Sequence, residues 1–257
     1  MNTKLRIIII SIILIGNICL SAQIKKEEKY LCTYSALFNL DFDRGKDIRE
    51  FEGKLILTND KSLFFMSALK NTYLKDDDDF NITVKSDTLF KVIKDHLNNV
   101  SYFTDNLFSK KEIYYKDSLH KMSWHITPNR KKIDSLDCYL ATCFFRGRQY
   151  SAWYAPAIPI PEGPWKSGGL PGLIIEFYDE NKDLYFLLRE FASINKDLKT
   201  YSIPPVTSTF SFQDYLEAGQ KFMTRFLGAM KAQEANCLAC QSNSKVKFFF
   251  WENVFQQ

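Results

Sequence analysis

At 257 residues, 46% hydrophobic and 25% charged, the chain has the composition of a folded protein with a sizeable core rather than of a disordered or fibrous one. Its formal charge of +4 falls to +2 once Lys4 and Arg6 leave with the leader described below, and its lysines are scattered, which excludes the basic stripe of a nucleic-acid binder. The 22 Phe and 13 Tyr demand more apolar packing than a flat sheet with one wet face supplies.

The chain opens with Lys4 and Arg6, a run from Ile7 to Ile15 broken only by Ser11, and Leu20-Ser21-Ala22. That pattern is expected to be a signal peptide over 1–22, because the run is shorter than the roughly 20 apolar residues a spanning helix needs. Cys19 follows Ile18, where a lipoprotein signal wants a small residue. No second apolar run follows, so residues 23–257 are expected to form one exported domain without a transmembrane segment. Its expected location is the periplasm, the outer membrane surface or the exterior.

In the mature chain the hydrophobic period is mostly two. Tyr30 to Phe38 reads as a strand. Lys54 to Leu57 and Leu63 to Met66 read as a hairpin across the polar turn Thr58-Asn59-Asp60-Lys61. The acidic run Asp76 to Asp79 lacks the alternating ligands and turn glycine of a calcium loop and is expected to be solvated. Phe90 to Phe103 mixes its apolar positions, which predicts a short helix or loop. Lys111 to Tyr115 and Lys121 to Thr127 are expected to pair around Asp117-Ser118.

The strongest strand pattern lies between Cys138 and Tyr154. Gly147 in Arg146-Gly147-Arg148 suits a turn or bulge there, and the like parity of the two arginines fits either a small anion clamp or two solvated side chains. Leu173 to Tyr178 and Leu184 to Leu188 predict a hairpin around Asp179 to Asp183. Beyond Pro204-Pro205 the period changes. Phe212, Tyr215, Leu216, Phe222, Met223, Phe226, Leu227 and Met230 recur at helical spacing, predicting a helix over about 211–231 with Ser211 as N-cap and Asp214 three residues on.

The expected fold is therefore mainly β (α+β): a curved antiparallel sheet or partial barrel with a C-terminal amphipathic helix packed on it. Five cysteines remain after cleavage, Cys32, Cys138, Cys143, Cys237 and Cys240, an odd number that leaves at least one thiol outside any internal disulfide. Cys237 and Cys240 have the spacing of a local disulfide, or of a redox or metal pair. His96, His120 and His125 show no metal-ligand spacing, and no Gly-x-Ser-x-Gly elbow occurs.

The most distinctive stretch is Trp165-Lys166-Ser167-Gly168-Gly169-Leu170-Pro171-Gly172-Leu173-Ile174, preceded by Pro156, Pro159, Pro161 and Pro164. Its content is backbone shape rather than catalytic side chains. Pro171 fixes one φ and biases Leu170 to an extended conformation, while Gly169 and Gly172 permit positive φ or close approach. Trp153, Tyr154 and Trp165, with residues 169–174, form either a preshaped recognition ridge at the lip of a cavity or a loop that closes the core.

Gly169-Leu170-Pro171-Gly172-Leu173-Ile174, together with Cys138 to Thr142, Phe145 to Arg148, Ala152 to Tyr154, Ile158-Pro159 and Gly163 to Lys166, resembles the GLPGLI family of exported bacterial envelope proteins. The resemblance implies an envelope location, a mainly antiparallel β fold and association with outer-membrane transport systems, and it supplies no catalytic residues. The leading functional expectation is a non-catalytic envelope protein, without cofactor or metal, that binds a hydrophobic small ligand or peptide in a sheet cavity. The alternatives are an interaction accessory of an outer-membrane, TonB-dependent transporter and a cysteine-dependent redox or metal enzyme.

Overall fold

The computed structural model describes residues 28–39, 48–68, 88–105, 113–119, 122–194, 205–206 and 208–236. The leader, the acidic run 76–79, His120, Cys237 and Cys240 lie outside them. The described residues form one 12-stranded sheet that does not close into a barrel, with one C-terminal helix packed on it. Two antiparallel meanders make up nearly all of it. The first runs β1 (Tyr30–Asn39), β2 (Ile48–Leu57), β3 (Lys61–Ala68), β4 (Thr88–Asp95), β5 (Val100–Asp105) and β6 (Tyr115–Ser118). The second runs β7 (His125–Ile133), β8 (Leu136–Phe145), β9 (Arg148–Ala155), β10 (Leu173–Asp179) and β11 (Leu184–Ser193).

Within each meander every strand pairs with its neighbour in sequence, and the meanders join where β1 lies against β11, with Tyr30 opposite Ser193 and Phe38 opposite Leu184. A two-residue strand, β12 (Phe210–Ser211), adds parallel to β6 and leads into helix α1 (Phe212–Asn236). The edges of the sheet are therefore β12 and β7. Strand β7 is exposed at most positions and carries Pro128, which an interior strand would not tolerate.

Local chemistry explains the hairpins. Thr58 closes the β2–β3 turn by accepting from the Lys61 N–H at 3.1 Å and donating to the Lys61 carbonyl at 2.9 Å. Arg146 (φ 47) and Gly147 (φ 80) give the β8–β9 turn the paired positive φ values of a tight hairpin. Two expectations fail. Phe90 to Phe103 forms the β4–β5 hairpin through Asn99 at φ 52, and its mixed pattern arises because both faces of these strands are covered: Val92 packs in the main core and Ile93 in a second cluster with Ile56 and Leu63. The segments flanking Asp117 do not pair with each other, since β6 adds to β5 while β7 adds to β8 at the far edge.

The sheet is strongly curled. Strands β6 and β9 are eight places apart, about 38 Å in a flat sheet at the usual strand spacing. Yet Arg146, in the turn leading into β9, reaches Asp117 of β6 at 2.5 Å. The aromatic surplus fills the hollow. Phe177 stacks on Tyr150 at 5.1 Å, and Phe64 meets Phe186 edge-on at 5.7 Å.

Helix α1 starts as expected and continues past 231. Ser211 Oγ accepts from the Asp214 N–H at 3.1 Å, and the Asp214 carboxylate accepts from the Ser211 N–H at 2.7 Å, a reciprocal cap. Tyr215 anchors the first turns, fully buried, edge-on to Phe103 at 4.9 Å and donating to Asp105 at 3.1 Å. Ser211→Ala is expected to lower stability by about 1 kcal/mol, read by denaturant unfolding, with loss of helical signal preceding loss of the sheet.

Candidate functional site

The segment from Pro156 to Gly172, between β9 and β10, is a strap that folds back into the hollow of the sheet. Its backbone satisfies itself through short-range bonds: Gly169 N–H donates to the Pro161 carbonyl at 2.9 Å, Leu173 N–H to Ile158 at 2.9 Å and Ile174 N–H to Glu162 at 3.0 Å. The two motif glycines have different jobs. Gly169 sits at φ 88, where other residues are strained, and Gly172 lies so close to Ala155 that an added Cβ would meet the Ala155 carbonyl oxygen at 2.3 Å.

Of the ridge candidates, Tyr154, Trp165, Leu170, Gly172, Leu173 and Ile174 are buried, Trp153 is half-buried, and Gly169 and Pro171 are exposed. Trp165 takes φ 55 and is fully buried, its ring 5.9 Å from Tyr150, 6.2 Å from Phe145 and 6.4 Å from Phe177. Trp153 does not join it. Trp153 stands on the outer face of the sheet and donates to the Tyr178 hydroxyl at 3.4 Å, while Tyr154 is buried beside Tyr139. These residues form no continuous ridge. Most of them close the core.

Charged groups tie the strap down from strands that are remote in the sheet. Lys94, on β4, donates to Glu162 at 2.7 Å and to the Ser167 carbonyl, and both members of the pair are almost wholly buried. His96 Nε2 meets the other Glu162 oxygen at 2.9 Å, and Trp124 donates to the Gly168 carbonyl at 2.9 Å. A second knot lies one turn along. Lys166 reaches Asp117 at 3.3 Å and sits 3.9 Å above the Phe103 ring, while Arg146 meets the same carboxylate and lies 4.1 Å over Phe212.

Arg148 pairs with Asp179 at 2.7 Å. Arg146 and Arg148, read from the sequence as either an anion clamp or two solvated side chains, are thus directed to different carboxylates of the chain itself, because the turn at 146–147 separates them across the hairpin. The electrostatics follow. Burial alone pushes the Glu162 carboxyl up, but Lys94 and His96 outweigh it and hold it below its ordinary 4.5. Burial keeps Asp179 above its ordinary value in spite of Arg148. The described cysteines are free, buried thiols: burial pushes Cys32 and Cys143 up to about 12 and Cys138 up to about 11, the reverse of what a thiolate nucleophile needs.

Side chains of the strap occupy the hollow: Trp165, Leu170 and Ser167 are all buried there. The space between Lys94, Ser101, Asp117 and Lys166 measures about 10 Å³, room for a single water. Among the described residues, a larger concavity of about 420 Å³ is lined by Glu217, Gln220, Lys221, Thr224 and Arg225 on the surface of α1. Sequence reasoning missed Lys94, Glu162, Asp117 and Lys166. For Lys94 a signal existed: in a strand, Phe90, Val92 and Lys94 share one face, and that face is the core.

Fold and site together define a single-sheet bowl closed by its own internal strap. Residues 146–176, which include that strap, match the family described as a protein of unknown function, Porph_ging. No curated protein matches. Among solved structures the chain is similar to PNGF-II in a P21 crystal form, with 19% identity and a TM-score of 0.52, the match covering 74% of this chain and 33% of that one. It is likewise similar to PNGF-II in a C2 form, with 18% identity, a TM-score of 0.51 and coverage of 76% and 33%. The chain spans about a third of the length of those solved chains, and the likeness is one of fold.

Trp165→Ala is expected to cost about 3–5 kcal/mol in chemical unfolding, whereas the exposed Phe144→Ala costs under about 0.5 kcal/mol. Because Glu162 is held below 4.5, the stability it contributes is complete above that value and is lost as pH falls through its folded value. The acid limb of the stability–pH curve, measured below about pH 5, is expected to be shallower in Glu162→Gln than in the parent protein.

Proposed function

We propose that this chain is a non-catalytic, exported envelope module of the GLPGLI kind that works by docking onto an outer-membrane, TonB-dependent transport system. The observation that carries this reading is the occupied hollow. A carrier of hydrophobic ligands needs an apolar cavity of a few hundred Å³, and here Trp165, Leu170 and the Lys94–Glu162 pair take that space. Recognition then falls to the outer surfaces.

Two further features support the same reading. The raised thiols of Cys32, Cys138 and Cys143 do not favour cysteine chemistry. A fold that recurs as a third of a longer chain also fits a part that serves a larger assembly. No helix of the described residues is long and apolar enough to cross a membrane.

Photo-crosslinking in cells tests the proposal. With p-benzoylphenylalanine in place of the outward-facing Phe144, a crosslink to an outer-membrane transporter is expected, and none from the buried Ser167 position. Lipid-like mass retained in native mass spectrometry would overturn docking in favour of ligand carriage. So would a crosslink from Ser167 alone.

A further inference from the structure

The strand register places a second, unrelated cluster on the outer face of the second meander. Residues directly opposite each other in a ladder share a face. Leu140 faces Trp153, Trp153 faces Glu176, and Tyr178 faces Tyr185, all on the side away from Phe177 and Phe186. In the first meander the outer face has a cover, since Ile56, Leu63 and Ile93 pack beneath Tyr114 and Val206. Here there is instead a carboxylate among aromatic rings.

Glu176 is only 7% exposed although it sits on the outer face. Its Oε1 accepts from the Tyr185 hydroxyl at 2.8 Å, and its Oε2 takes the Lys131 ammonium. That ammonium also lies 4.4 Å from the centroid of the Trp153 ring. Tyr178 and Tyr185 stack at 6.0 Å, and Trp153 holds Tyr178 through its indole N–H. The Glu176 carboxylate and the Trp153 ring face thus hold one ammonium between them, while Tyr185 fixes the carboxylate, Tyr178 fixes the indole, and a second ammonium, Lys182, lies 5.3 Å from the centroid of the Tyr178 ring. Burial, reinforced by the bond to Glu176, pushes the Tyr185 hydroxyl upward, so it stays a donor to the carboxylate at any physiological pH.

The two halves of this arrangement differ in how firmly they are built. Glu176, Trp153, Tyr178 and Tyr185 stand on interior strands, and their positions are set by ladders on both sides. Lys131 stands on the edge strand β7, whose pairing with β8 shifts between Ile126 and Arg130, and its side chain is 37% exposed. The acceptor is fixed and the cation is the movable part. Replacing one ammonium by another leaves no uncompensated buried charge, so the exchange avoids the penalty that simply emptying the site would incur.

We propose that Glu176 and Trp153, positioned by Tyr185 and Tyr178, form an ammonium-binding cage that Lys131 fills in the isolated protein and that an external alkylammonium group, from a free amine or a lysine side chain, enters by displacing Lys131. Physiological use of the cage by a lysine of a docking partner rests on the docking reading above. Binding itself needs no partner and is measured without one.

The reporter is the indole N–H resonance of Trp153, assigned with Trp153→Phe, in titrations with 1-butylammonium chloride against sodium chloride at equal ionic strength. In the parent protein a saturable shift is expected with the amine alone. In Lys131→Ala the dissociation constant should fall by about tenfold, because an intramolecular competitor is removed. Glu176→Gln should abolish saturation, and the milder Tyr185→Phe, which keeps the carboxylate, should weaken binding by about threefold as one hydrogen bond is lost.

Repeating the titration with the peptide acetyl-Ala-Lys-Ala-amide separates the sources. A tighter constant than for butylammonium assigns the cage to protein lysines, and an equal or weaker one to free amines. The proposal is overturned if the parent resonance responds no more to amine than to sodium chloride, even where Lys131→Ala is rescued by it. Lys131 and Glu176 would then be a structural ion pair.

Discussion

The Lys94–Glu162 pair is the constraint on which the rest of the architecture depends. Strands β4 and β9 are six places apart in the sheet, about 29 Å if it lay flat, and the pair joins the end of one to the strap that leaves the other. Two charges taken out of water need each other. Removing Glu162 leaves the Lys94 ammonium buried without its counter-ion, a loss of about 3–5 kcal/mol. The pair therefore holds the curl and the strap in one state. The Asp117–Lys166–Arg146 knot repeats the arrangement beside it and draws in the base of α1 through Phe212.

Beneath these ions the aromatic core explains the composition. A curled sheet has a hollow too deep for aliphatic side chains from its own strands to fill. Phenylalanine and tyrosine reach into it from both meanders, and Trp165 enters from the strap. Tyr34 shows how polar ends are handled: its ring is in the core and its hydroxyl donates to the Ile174 carbonyl at 2.7 Å, fixing the strap's exit.

Much of the fold was legible in the sequence, and the limits are physical. The β8–β9 and β10–β11 hairpins could be read because turn residues bound clear alternation, and α1 because Ser211 and Asp214 mark its start. Strands β4 and β5 were not, since both of their faces are covered and alternation disappears. The strap's location was legible, as prolines and glycines exclude helix and strand there. Its partners were not. Lys94 shares a strand face with Phe90 and Val92, but nothing in the local sequence distinguishes buried Lys166 and Asp117 from the solvated charges around them, and only the curl of the whole sheet brings these groups together. Arg146 and Arg148 invited an anion site for the same reason: their acidic partners lie far off in the chain.

The junction between β1 and β11 sets the order in which the molecule can be completed. Each meander assembles from neighbours in sequence, a rapid kind of pairing, but β1 waits for a strand made near the end of the sheet-forming region. A chain emerging from its N-terminus carries β1 with one side unsatisfied until residues 184–193 appear. The bowl thus cannot shut part-way through synthesis, and the polypeptide remains threadable until almost all of its strands are present.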